Sequence, residues 1–150
     1  MDKKKRLYYN EIENKYKCLK NVEIEYETKL LFSNPEINLI YKYALSQNKK
    51  IIITSDMYLP KNIIEDFLRK NHICKYQKIY LSSEIKKTKY TGHLYEYIIQ
   101  DLNCEAEDIL HFGDNWISDI NKASDIGIKT VFCEKLIRLN QRKASAIFTS

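Results

Sequence analysis

Three glycines and two prolines in 150 residues leave no material for a flexible linker, a repeat or a low-complexity tract. One domain is expected, long enough to bury a core of its own. The four cysteines, Cys18, Cys74, Cys104 and Cys133, are widely separated and form no C-x-x-C. That excludes a zinc ribbon or a disulfide framework and fits reduced thiols in a cytoplasmic protein. No apolar run approaches the ~20 residues of a spanning helix. The charged opening MDKKKRLYYNEIENKY lacks the apolar stretch of a signal peptide. The reading is cytoplasmic, with no membrane partner.

Charge of one sign is in excess, at net +5, but it is not spread evenly. Residues 1–20 carry seven Lys/Arg against three acids, and residues 134–150 carry four against one. The remaining fourteen bases and sixteen acids lie in 21–133. A slightly acidic body between basic ends describes solvated termini and no phosphate-tracking stripe, so no nucleic-acid partner is expected.

Apolar spacing predicts helix over 8–32. Asn34 as N-cap, Pro35 at N1 and Glu36 in the first turn open a second helix. Its apolar face is Ile37, Ile40, Tyr41, Ala44 and Leu45. KKIIITSD reads as a buried strand ending in hydroxyls and an acid. Pro60 starts a helix to about Lys70 with Ile63, Ile64, Phe67 and Leu68 inward. QKIYLSS is a strand, HLYEYIIQDLN a helix, DILHFGD a strand, Trp116 to Ser124 a helix and IKTVFC a strand. A last helix is expected over about 135–144. This alternation means an α/β, Rossmann-like parallel sheet with helices on both faces. Ligands then bind beyond the carboxyl ends of the strands, where both TSD and GDNWISD fall.

In GDNWISD, Gly113 permits a tight exit from the strand and the turn can aim Asp114 and Asp119 at one point. Such hard oxygen ligands suit Mg²⁺, which takes one or two carboxylates plus substrate phosphate. Equally, Asp119 could cap the next helix and Asp114 be a turn residue. Ser55, with Thr54 behind it, could bind a phosphate oxygen at a strand end, or simply cap a helix. Lys86, Lys87 and Lys89 each offer a cation, and composition does not choose among them. The three histidines, His72, His93 and His111, show no catalytic partner and read as structural.

Taken in order, strand–TSD, a lysine before YTG, and strand–GDNWISD resemble motifs II, III and IV of the haloacid dehalogenase-like hydrolase superfamily. SDMYLP, K–YTGHLY and HFGDNWISDI resemble a bacterial subgroup associated with glycosyltransferases of surface-polysaccharide synthesis. The resemblance runs from about Glu23 to Cys133. It implies a phosphate-binding hydroxyl at Ser55, a nucleophile- and phosphate-neutralising Lys89, and Mg²⁺ held by Asp114 and Asp119. The implied partner is a phosphorylated small molecule, sugar-related in that subgroup.

The family's nucleophile is the first Asp of a D-x-D motif on an earlier strand. Residues 1–50 hold one aspartate, Asp2, and no D-x-D. Motif I and its central strand are therefore expected to be absent, leaving two inner sheet edges unpaired. The expectation is a C-terminal portion of a longer hydrolase, inactive alone. Its divisions would be a helical cap remnant over 1–33, an α/β core portion over 34–134, and a C-terminal helix and tail over 135–150. An upstream polypeptide would supply the missing strand. The alternative is a non-catalytic binding or scaffold module on the same fold.

Overall fold

The computed structural model describes residues 15–19, 21–22, 24–26, 33–57 and 59–134. The described parts of the expected N-terminal helix are helical. The rest of that helix, and the helix expected over 135–144, lie outside the described residues.

Helix α1 spans Pro35–Ser46 and starts as its sequence dictates: Asn34 accepts the Glu36 N–H at 2.9 Å and Pro35 stands at N1. The expected apolar face is half-buried throughout. Strand β1 is Ile52–Ser55, helix α2 is Lys61–Lys70 after Pro60, and strand β2 is Lys78–Leu81. The loop expected after β2 opens with a short helical turn, Ser82–Ile85. Gly92 then adopts φ +82, a conformation that costs glycine little, and admits helix α3, His93–Leu102. Strand β3 is Leu110–Gly113 and strand β4 is Lys129–Phe132. Between them, a π-helical stretch Trp116–Asn121 runs into Lys122–Ser124.

β1 and β2 pair in parallel from Ile52↔Lys78 to Ser55↔Leu81, and β3 and β4 from Leu110↔Lys129 to Gly113↔Phe132. Among the described residues no ladder joins the two pairs. The parallel α/β reading holds, but the sheet stands in two halves, and β1 and β3 do not pair directly.

The period-2 pattern of β2 places helices on both its faces. Ile79 and Leu81 join Ile64 and Leu68 of α2, with Leu59 and Ile73, in one buried cluster. Tyr80, between them in sequence, points the other way into a second cluster with Leu94, Tyr95 and Ile98 of α3. That cluster also takes Ala123 and Ile128 and, half-buried, Ile52 and Ile109. One helix, α3, thus packs against both half-sheets. Burying side chains such as Leu94, Ile98 and Leu81 completely contributes roughly 1.5–3 kcal/mol each. Among the described residues no helix is long and apolar enough to cross a membrane.

Candidate active site

The GDN turn leaves β3 and enters a helix through Asn115, whose side chain accepts the N–H groups of Ile117 (3.0 Å) and Ser118 (3.1 Å). Asn115 is therefore the cap, the role weighed above for Asp119. The first turn is wide: the Asn115 carbonyl accepts from Asp119 at 2.8 Å and from Ile120 at 3.3 Å. π-turns of this kind cluster at functional sites.

Asp119 turns back over the strand end. Its Oδ2 accepts the N–H groups of Asp114 and Asn115, each at 3.1 Å. Its Oδ1 accepts from Lys89 Nζ at 2.6 Å and lies 3.4 Å from His111 Nε2. This crowding needs the bare Cα of Gly113, because a Cβ there would fall on the Asp119 side chain. Asp119 is 3% exposed and Asp114 is exposed. Burial opposes ionisation of Asp119. The hydrogen bonds of His111 and Lys89, the Lys89 charge and the Asn115 N–H outweigh it, holding the carboxyl far below the usual range.

Of the lysines named above, Lys89 is the one whose ammonium meets Asp119. Lys87 stands over the Tyr97 ring at 6.0 Å instead. While its ammonium holds Asp119, the backbone N–H of Lys89 donates to both oxygens of Asp56, at 3.1 and 3.2 Å. Asp56 follows β1 directly, so one residue ties the end of β1 to the acidic turn after β3.

The two hydroxyls at the end of β1 differ. Ser55 Oγ accepts the Met57 N–H at 3.1 Å, a local turn bond that leaves its own proton to donate. Thr54 Oγ1 is buried with no hydrogen-bond partner, at a cost of about 1–3 kcal/mol. Beside them, a cavity of about 210 Å³ is lined by Ile53, Thr54 and Ser55 and by Ile63, Ile64 and Phe67 of α2.

Does this donor set fit Mg²⁺? Among the described residues no three His, Cys, Asp or Glu gather closely enough to cage a metal. All the acceptor positions of Asp119 are engaged by protein donors, so it anchors the turn. The exposed Asp114 fits the single-carboxylate mode, in which water and substrate phosphate complete the shell.

Sequence reading missed two partners of Asp119's pocket. Tyr95 Oη lies 3.1 Å from His111 Nε2 and donates to the Ser118 carbonyl at 2.9 Å. Burial first, then the charges of Asp119 and Asp56, push the Tyr95 hydroxyl well above its ordinary pKa. A signal existed: His111 and Gly113 share a strand face, and Gly113's face is the one Asp119 needs. Trp116, left open between packing and pocket lining, stacks on Phe132 at 4.7 Å while 58% exposed. The Cys133 thiol is raised by burial and by the charges of Glu36 and Asp114, so it stays protonated and is a poor nucleophile.

The profile of the haloacid dehalogenase-like hydrolases matches residues 3–133. No curated protein matches the chain significantly. Among solved structures it is similar to a protein from Thermotoga maritima assigned as a β-phosphoglucomutase, with TM-score 0.65 and 19% identity over 85% of this chain and 61% of that one. It is also similar to a haloacid dehalogenase-type phosphatase from Thermococcus onnurineus, with TM-score 0.61 and 17% identity over 75% and 52%. A hydrolase from Streptococcus pneumoniae TIGR4 gives TM-score 0.56 and 18% identity over 77% and 58%. The chain thus spans less than two thirds of the length of each of these structures.

Proposed function

Because the chain belongs to the haloacid dehalogenase-like hydrolase family, we propose that it forms the phosphate- and metal-binding part of a phosphohydrolase site. The nucleophile of that site would come from a further strand lying between β1 and β3. The carrying observation is Lys89, which holds Asp119 with its ammonium and Asp56 with its N–H. It ties the carboxyl ends of both half-sheets to one cationic residue.

In this reading the Thr54 and Ser55 hydroxyls donate to phosphate oxygens, which would give the buried Thr54 hydroxyl its missing partner. Lys89 neutralises charge on the transferring group. Asp114 holds Mg²⁺, with Asp119 keeping the turn and the lysine in place. When bound, the metal would supply electrostatic stabilisation of the phosphoryl oxygens. The substrate is a phosphorylated small molecule, and a sugar phosphate suits the assignment given to the Thermotoga protein.

The nucleophile is the residue not accounted for. Asp56, the acid nearest the end of β1, has both oxygens engaged by the Lys89 N–H, and Cys133 is a protonated thiol. An incoming strand would find edges of β1 and β3 that carry no ladder among the described residues, and apolar side chains on it would find the cavity beside Ile53 and α2. Its last residue would then stand between Ser55 and Asp114, where covalent attack on a phosphate needs a carboxylate.

The test is hydrolysis of p-nitrophenyl phosphate with Mg²⁺, by this chain alone and by this chain joined to the segment encoded directly upstream of it. The expected result is no phosphate release alone, and Mg²⁺-dependent release from the joined chain that Lys89→Met abolishes. Hydrolysis by the 150-residue chain, lost in Asp114→Ala, would overturn the need for a further strand. No hydrolysis from either would favour the non-catalytic binding module.

A further inference from the structure

A half-buried group without a task in that scheme is His111, whose side chain is 11% exposed. Its ring meets Tyr95 edge-on, with centroids 5.3 Å apart at 70°. Its Nε2 faces two oxygens, Tyr95 Oη at 3.1 Å and Asp119 Oδ1 at 3.4 Å.

The proton positions follow by elimination. A phenol has one proton, and Tyr95 gives it to the Ser118 carbonyl at 2.9 Å, since a carbonyl only accepts. An ionised carboxylate likewise only accepts. With Tyr95 donating to Ser118 and Asp119 ionised, the tautomer that satisfies both oxygens carries its hydrogen on Nε2. The ring is held from one side by Tyr95 on α3 and directs its N–H into the space between Tyr95 and Asp119.

We infer that His111 is a positioning residue: its Nε2–H steers Asp119 Oδ1 into the orientation that presents Oδ2 to the Asp114 and Asn115 N–H groups and Oδ1 to the Lys89 ammonium. The inference rests on the proposed function, in which Lys89 and Asp114 act on the phosphate. The geometry gives the histidine leverage. Rotation of the Asp119 carboxylate about its last bond would lose the two turn bonds and the lysine together. Lys89, a flexible four-carbon cation, cannot fix that rotation alone, because its ammonium follows the oxygen wherever it moves. A donor on a ring locked by Tyr95 can.

Two substitutions separate donor from ring. His111→Phe keeps the edge-on ring contact with Tyr95 and removes the Nε2–H. His111→Gln loses the ring and keeps an amide N–H at a similar reach. The measurement is amide hydrogen exchange, by NMR on the full 150-residue chain, at Asp114 and Asn115, with urea unfolding as the global reference. Expected is exchange about tenfold faster at both amides in His111→Phe, the factor that the loss of one hydrogen bond gives, and near-native exchange in His111→Gln. The reverse order, Phe silent and Gln fast, would mean that His111 only packs, and would overturn the inference. So would two variants that exchange alike. No substrate or metal enters this experiment, so a failed phosphatase assay would sink the proposed function and leave this result to be judged by itself.

Discussion

Gly113→Ala is one methyl group, and the structure makes it expensive. The new Cβ falls on Cβ, Cγ and Oδ2 of Asp119, well inside ordinary carbon contact at about 3.5–4.0 Å. Gly113 is not among the positive-φ glycines, Gly92 and Gly127, so its backbone alone would accept alanine, and the whole effect is spatial. The chain has two ways out. The end of β3 can shift, overpacking its surroundings at about 1–3 kcal/mol and disturbing the Gly113↔Phe132 pairing. Otherwise Asp119 swings away, stranding the mostly buried Lys89 side chain, 13% exposed. Breaking such a pair costs about 3–5 kcal/mol. The cheaper route prevails, so the expected loss is about 1–3 kcal/mol, or a fall in Tm of roughly 2–12 °C for a chain of this size. Urea unfolding followed by circular dichroism reads it directly. The decisive control is the same substitution in an Asp119→Gly background, where nothing stands in the way. There it should cost less than about 0.5 kcal/mol, because the two sites are in contact and couple. Equal costs in the two backgrounds, or a single variant within about 0.5 kcal/mol of the parent, would refute the reasoning.

The remaining predictions concern charge and the orphan hydroxyl. The pKa of Asp119 is depressed by folding, so its contribution is fully present above the unfolded value near about 4 and drains away as pH falls below it. Asp119→Asn should be less stable than the parent at pH 7, with the gap in urea midpoint narrowing as pH falls below about 4; a constant gap would contradict the assignment. Thr54→Val replaces a buried, unpartnered hydroxyl by a methyl of similar shape. It should raise stability by about 1 kcal/mol while weakening binding of inorganic phosphate, measured by titration calorimetry; a destabilised variant would mean that the hydroxyl already has a partner.

The helices and strands were legible because their signals are local. Asn34–Pro35–Glu36 announced α1, Pro60 announced α2, and short apolar runs between polar stretches marked β1 to β4. The acids after Gly113 were legible as a pair, but not the division between them. That Asp119 is saturated with donors while Asp114 faces solvent follows from a π-turn and from contacts 30 residues apart. Periodicity carries no trace of either. The choice of Lys89 came from resemblance to a family, and its geometric reason, a bridge from Asp56 to Asp119, is long-range. His111 and Tyr95 stayed hidden for the opposite reason: each sits at a position that packing alone would explain.

The separation of the sheet into two halves bears on how this protein can vary. A backbone ladder is blind to sequence, because almost any residue supplies the same N–H and carbonyl. Between β1 and β3, among the described residues, the connection is instead a bridge, Asp56–Lys89–Asp119, in which only the Lys89 N–H is backbone, resting on the missing Cβ of Gly113. Such a bridge is written codon by codon. Positions 89, 113 and 119 are therefore coupled: a change at one alters what a change at the others costs.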